Sequence, residues 1–156
     1  MLFETVCFAT DFSPVSARAV DYVLRLADAG CRKVVLLHIS DGPMKPFVIS
    51  EPPGLDADSA TAYEDTLRER SQQECSQLMT EAVTQFQEAG LEVEPLIISG
   101  NPAEEIVRIA DNREVSLIVV GATGGQASHR HSCSVSADVI HRAHQPVLVV
   151  RGSESQ

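Results

Sequence analysis

No apolar run in the 156-residue chain reaches the roughly 18–20 residues that a bilayer span needs, so a membrane-spanning protein is not expected. The opening residues, MLFETVCFAT, have no basic stretch ahead of an apolar one, and no secretory signal is expected. CxxC pairs are missing too. The four cysteines, Cys7, Cys31, Cys75 and Cys133, are widely spread and read as reduced thiols of a cytoplasmic protein rather than a disulfide frame. Positive charge is scarce: 22 acidic residues stand against 12 Lys and Arg, leaving a formal charge of −10. Such a field repels phosphate backbones and argues against a nucleic-acid binder. It leaves room for a single nucleotide held by backbone N–H groups, which carry no formal charge. No GK[ST] closes a Gly-rich loop, so there is no Walker A motif. No GxSxG is present, Ser13 and Ser134 have no activating motif, and no catalytic residue emerges.

What is present is a globular composition, 44% hydrophobic and 22% charged, long enough for one well-buried domain. Short β-rich runs alternate with helical patterns. Thr5 to Thr10 reads as a buried strand, and Val20, Val23, Leu24 and Ala27 recur at helical spacing up to Gly30. Lys33 to Ile39 is a second strand, apolar almost throughout, as when helices cover both faces. Residues 40–58, rich in Pro and Gly, read as a long loop. A helix is expected from about Ser59 to Ala89, with Leu67, Cys75, Leu78, Met79, Ala82, Val83 and Phe86 as its apolar stripe. Glu92 to Ser99 is a strand that Pro95 assigns to a sheet edge. Asn101 suits an N-cap, Pro102 the first helical position, and Glu104 can complete the cap. Ser116 to Val120, a helix from about Cys133 to Ala143, and a last strand after Pro146 complete the chain.

This order, β-α-β-α-β-α-β-α-β, predicts a three-layer doubly wound α/β domain over residues 1–151, with a polar tail at 152–156. Ligands of such sheets sit beyond the carboxyl ends of the strands, where the strand order reverses. The loops that begin at Asp11, Ser40 and Gly121 are therefore the candidate site. Asp11 can accept from an adenine amino group or a ribose hydroxyl, or it can simply brace the first helix. Gly121, Gly124 and Gly125 permit close approach to a phosphate, and Ser134 lies near the expected start of the last helix, where free N–H groups favour an anion. His129, His131 and Cys133 stand at alternate positions and would converge on a metal only in an extended segment; a solvated loop is the alternative. His141 and His144 suit a helix C-terminus. Cys133, close to a helix start and to imidazoles, is expected to be the most reactive thiol, with Cys7 and Cys75 inert on apolar faces.

Taken in order, VCFATDFSPVSARAVDYVLRLA, KVVLLHISD, GNPAEEIVRIADNREVSLIVVGATG and SVSADVIHRAHQPVLVV resemble the universal stress protein (UspA-like) family over nearly the whole chain. The resemblance implies a Rossmann-like, adenine nucleotide alpha-hydrolase-like fold with strand order 3-2-1-4-5. It implies a cytoplasmic stress-response or signalling role and ATP, with or without Mg. It also implies a homodimer through the last strand, Val147 to Val150, and a protein partner that the sequence does not identify. Family members that bind ATP carry G-x2-G-x9-G-[ST]. The resemblance places Asp11 at adenine or ribose, the Ile39 backbone at adenine, and Val120 and Gly121 beside the ribose. Gly124, the Ser134 hydroxyl and the Val135 N–H then fall at the phosphates. This chain departs from the pattern: eight residues separate Gly124 from Cys133, and Cys133 stands where the glycine is expected. A nucleotide-free dimeric interaction module is the alternative. A slow ATP hydrolase is a third reading that lacks an evident base or magnesium constellation.

Overall fold

The computed structural model describes residues 2–41, 57–122 and 129–152, with the side chains of 41, 57–72 and 129–134 outside that description. The elements are β1 (Thr5–Ala9), α1 (Pro14–Leu26), β2 (Lys33–Asp41), α2 (Ala57–Glu88), β3 (Glu92–Gly100), α3 (Pro102–Asn112), β4 (Leu117–Ala122), α4 (His129–Arg142) and β5 (Val147–Arg151). All strand pairs are parallel and the order is β3-β2-β1-β4-β5, as the family resemblance implies. Pro95 lies on the edge strand β3, opposite Leu36. An edge strand tolerates a residue that cannot donate to a ladder.

The apolar runs are buried on both sides with a period of two. Val6, Phe8, Val34, Leu36, Leu117 and Val119 join Ala19 and Val23 of α1 and Met79 and Phe86 of α2. Cys7, Val35, Leu37, Ile118 and Val120 face the other way, against Ala103, Ile106, Ile109 and Ala110 of α3 and Val139 of α4. So α1 and α2 cover one face and α3 and α4 the other. Phe8 and Phe86 meet edge to face at 6.1 Å, which ties α2 to the central strand.

Helix starts follow the caps. Ser13 accepts from the Ser16 N–H at 3.2 Å, with Pro14 in the first turn of α1. Asn101 accepts from the Glu104 N–H at 3.1 Å, with Pro102 in the first turn of α3. The Glu104 carboxylate does not close a reciprocal cap; it lies 3.6 Å from Arg142 of α4. Gly30 and Gly90 adopt φ of 103° and 86° where the chain leaves α1 and α2.

Several details differ from the sequence expectation. β2 runs two residues further, because Ser40 and Asp41 pair with Ser99 and Gly100 of β3. α2 starts at Ala57, and residues 42–56 of the expected loop lie outside the described residues. α4 starts at His129 rather than near Cys133. In the α2 stripe Met79 and Phe86 are buried, whereas Leu78 is 41% exposed beside a cleft also lined by Phe12 and Ser16.

Candidate functional site

The sheet order reverses between β1 and β4. The helix that follows β1, α1, covers one face of the sheet and the helix that follows β4, α4, covers the other, so the carboxyl ends of these neighbours form the switch point at which such sheets offer a ligand crevice. Asp11 stands on one side of it and Gly121 on the other.

The turn after β1 is fixed by a small polar network. Thr10 is buried and its N–H donates to the Leu37 carbonyl at 2.8 Å. Its hydroxyl accepts from the Phe12 N–H at 3.0 Å. Asp11 Oδ1 accepts from the Ser13 N–H at 2.9 Å and from the Ser16 hydroxyl at 2.7 Å. Burial pushes the Asp11 carboxyl up, but the bonds from Ser13 and Ser16 outweigh it and hold the group below its ordinary value. Asp11 is thus an ionised, braced carboxylate. Both bonds use one oxygen, and Oδ2 keeps its own acceptor sites.

Ile39 owes its position to strand geometry. Lys33 donates its N–H to the Glu4 carbonyl, and Leu37 offers its carbonyl to Thr10. Odd-numbered residues of β2 therefore present their peptide groups towards β1. β1 ends at Ala9, which is in register with Leu37. Ile39 turns its N–H and C=O the same way, past the end of β1, while its side chain packs against the α3/α4 core. One residue thereby offers a donor and an acceptor side by side at the crevice.

Val120 is buried and in register with Ala9; Gly121 follows it. A Cβ at Gly121 would sit 3.0 Å from Val15 Cγ1, so the bare backbone lets the first turn of α1 approach β4. Gly124 lies outside the described residues. Ser134 and Val135 are the sixth and seventh residues of α4, not its first, because the helix begins at His129. The free N–H groups of that helix start therefore include those of His129, Arg130 and His131, not those of Ser134 and Val135. The backbone of His129, His131 and Cys133 is helical, not the extended form in which alternate residues share a side.

One constellation was missed by sequence reasoning. His38 Nδ1 lies 2.9 Å from the Thr10 carbonyl, and His38 Nε2 lies 3.8 Å from Cys75 Sγ. The imidazole also lies against the Phe12 ring, with centroids 4.8 Å apart, and Phe12 holds a left-handed φ of 60°. Cys75 is half-buried rather than sealed in an apolar face. The pair is 37 residues apart, on a strand and a helix, so no local motif announces it.

The sequence model of the Universal stress protein family matches residues 2–151. Universal stress protein MJ0577 of Methanocaldococcus jannaschii is 28% identical over 99% of both chains. A solved structure of MJ0577 superposes with a TM-score of 0.78 at 26% identity, covering 99% of this chain and 100% of that one. Universal stress protein YxiE of Bacillus subtilis is 30% identical over 96% of this chain and 100% of its own. A universal stress protein solved in complex with cAMP superposes with a TM-score of 0.64 at 26% identity, covering 97% of this chain and 98% of that one. With the strand order, the alternating two-sided core and these matches in agreement, the chain belongs to the universal stress protein family.

Proposed function

We propose that the protein binds an adenine nucleotide, ATP among them, in the crevice at the carboxyl ends of β1, β2 and β4, and serves a cytoplasmic stress response by signalling the bound state. The observation that carries this reading is the Ile39 peptide edge left open by the end of β1. An adenine edge places an N6–H donor beside the N1 acceptor, the complement of one C=O and one N–H. Asp11 supplies a fixed acceptor for the ribose hydroxyls. Val120, whose side chain is buried against α3 and α4, and Gly121 offer a wall of backbone beside the sugar. The phosphates run towards Gly124 and α4, with Ser134 and Val135 on that path and the helix N-terminus favouring an anion. A bound cation such as Mg would neutralise phosphate charge; the family relative solved with cAMP supports the nucleotide class and not this ion.

Isothermal titration with ATP, ADP, AMP and cAMP tests the reading and ranks the phosphate contribution. Saturable binding of at least one of them, lost in Gly124→Val, is the expected result. Heats no larger than dilution for all four would overturn it in favour of a nucleotide-free interaction module.

A further inference from the structure

We infer that Cys75 and His38 form a thiol-oxidation site whose substrate class is a hydroperoxide. The inference stands apart from nucleotide binding and uses residues that the proposed nucleotide site leaves free.

The geometry sets the roles. The Thr10 carbonyl can only accept, so His38 Nδ1 carries a proton and donates it at 2.9 Å. In the neutral ring Nε2 then holds a lone pair, and it faces Cys75 Sγ at 3.8 Å. The thiol donates to that lone pair, and proton transfer yields a thiolate beside an imidazolium whose Nδ1–H is already anchored. A nucleophile, an adjacent base and a third group that orients the base are the parts of an activated cysteine. The Phe12 ring against the imidazole and the buried Thr10 fix the orientation from the other side. Asp11 adjoins Thr10 and Glu74 adjoins Cys75 in the chain, and neither makes a hydrogen bond to the sulfur or the imidazole among the described residues; the side chain of Asp41, further along β2 from His38, lies outside them.

The other described cysteines lack these features. Cys7 is fully buried, and burial pushes its thiol up to about 12. Cys31 is buried too, and burial raises it; its sulfur donates to the Lys33 carbonyl, not to a base. Cys75 alone among the three combines partial exposure with a base.

The step balances with a hydroperoxide, ROOH, as the oxidant. His38 Nε2 takes the thiol proton. The thiolate attacks the terminal oxygen of ROOH, so an S–O bond forms as the O–O bond breaks. The leaving alkoxide, or hydroxide from hydrogen peroxide, takes the proton from Nε2. The products are cysteine sulfenic acid and ROH; sulfur loses two electrons and the peroxide gains them.

The test uses the full chain without added nucleotide. Wild type and His38→Asn are treated with hydrogen peroxide, trapped with dimedone, and read by mass spectrometry of the peptide that holds Cys75. Asn keeps a donor for the Thr10 carbonyl but cannot reach the sulfur, which separates activation from a purely structural role. Parallel labelling with iodoacetamide reports thiol reactivity, and protection of Cys7 and Cys31 reports an intact core. Cys75 should form the sulfenic adduct and should alkylate at least about tenfold faster in wild type than in His38→Asn. Equal rates with Cys7 and Cys31 protected would overturn the inference. A comparison within wild type holds even where the variant fails to fold. Activation requires Cys75 to react faster in the folded protein than in urea at the same pH, and slower reaction in the folded protein would refute it.

Discussion

Ser16 is almost fully buried, yet its hydroxyl donates to the Asp11 carboxylate at 2.7 Å and accepts from the Asp11 N–H at 3.3 Å. Removing that oxygen leaves the turn after β1 without its anchor. Ser16→Ala should cost about 1–3 kcal/mol, the range for losing a hydrogen bond to a charged group, read from urea denaturation. Asp11 gives the same network a pH signature. Burial alone would raise its carboxyl, but Ser13 and Ser16 hold it below the ordinary 3.8. The unfolded chain therefore binds this proton more readily than the folded one. The stability contributed is complete above the ordinary carboxyl range and is lost as pH falls through the lowered folded value. The stability gap between wild type and Asp11→Asn should hold steady from neutral pH down to about 5 and shrink below about 4. A gap that widens on acidification would contradict this assignment.

At the scale of elements, the contact between β4 and α1 depends on Gly121. Gly121→Ala sets a Cβ 3.0 Å from Val15 Cγ1, and the first turn of α1 must shift to admit it. The expected cost is about 1 kcal/mol, recovered in large part when Val15→Ala is added. Thermal melts of the two single variants and the double variant check the coupling, which additive losses would disprove. The same elements show what the sequence could reveal. Buried parallel strands read as apolar runs, and the Ser13-Pro14 and Asn101-Pro102 starts carry their own capping chemistry, so five strands and four helices were legible. Pro95 marked an edge before any pairing was known. The extra length of β2 was hidden because Ser40 and Asp41 are polar and extended only through their partners on β3. The start of α4 was hidden because HRHSC has no apolar periodicity to mark a turn. Within the site, Asp11 and Gly121 were legible from strand ends. The His38–Cys75 pair was not, because a stripe residue on a helix looks apolar until the strand beneath it supplies a base.

Over the whole molecule, the sheet ends at β3 and β5, two edges that are open among the described residues, and the one formed by β5 is the more apolar. The Ile118 N–H donates to the Pro146 carbonyl at 3.0 Å, so Pro146, Leu148 and Val150 give their peptide groups to β4. The alternate residues Val147, Val149 and Arg151 turn theirs to the open side. We propose that this edge pairs antiparallel with the same edge of a second copy about a two-fold axis, which would join two sheets into one. The side chain of Val149 leans on the α3/α4 core, so a charge there would disturb the subunit as well as the edge. Val149→Pro is the cleaner probe. It removes an outward N–H and leaves those of Leu148 and Val150 on β4. Light scattering at micromolar concentration should report a dimer for wild type and a monomer for the variant, with helix content unchanged by circular dichroism. Each copy carries a formal charge of −10, so the subunits repel at long range and added salt should tighten the dimer. A wild-type monomer across that salt range would refute pairing through β5.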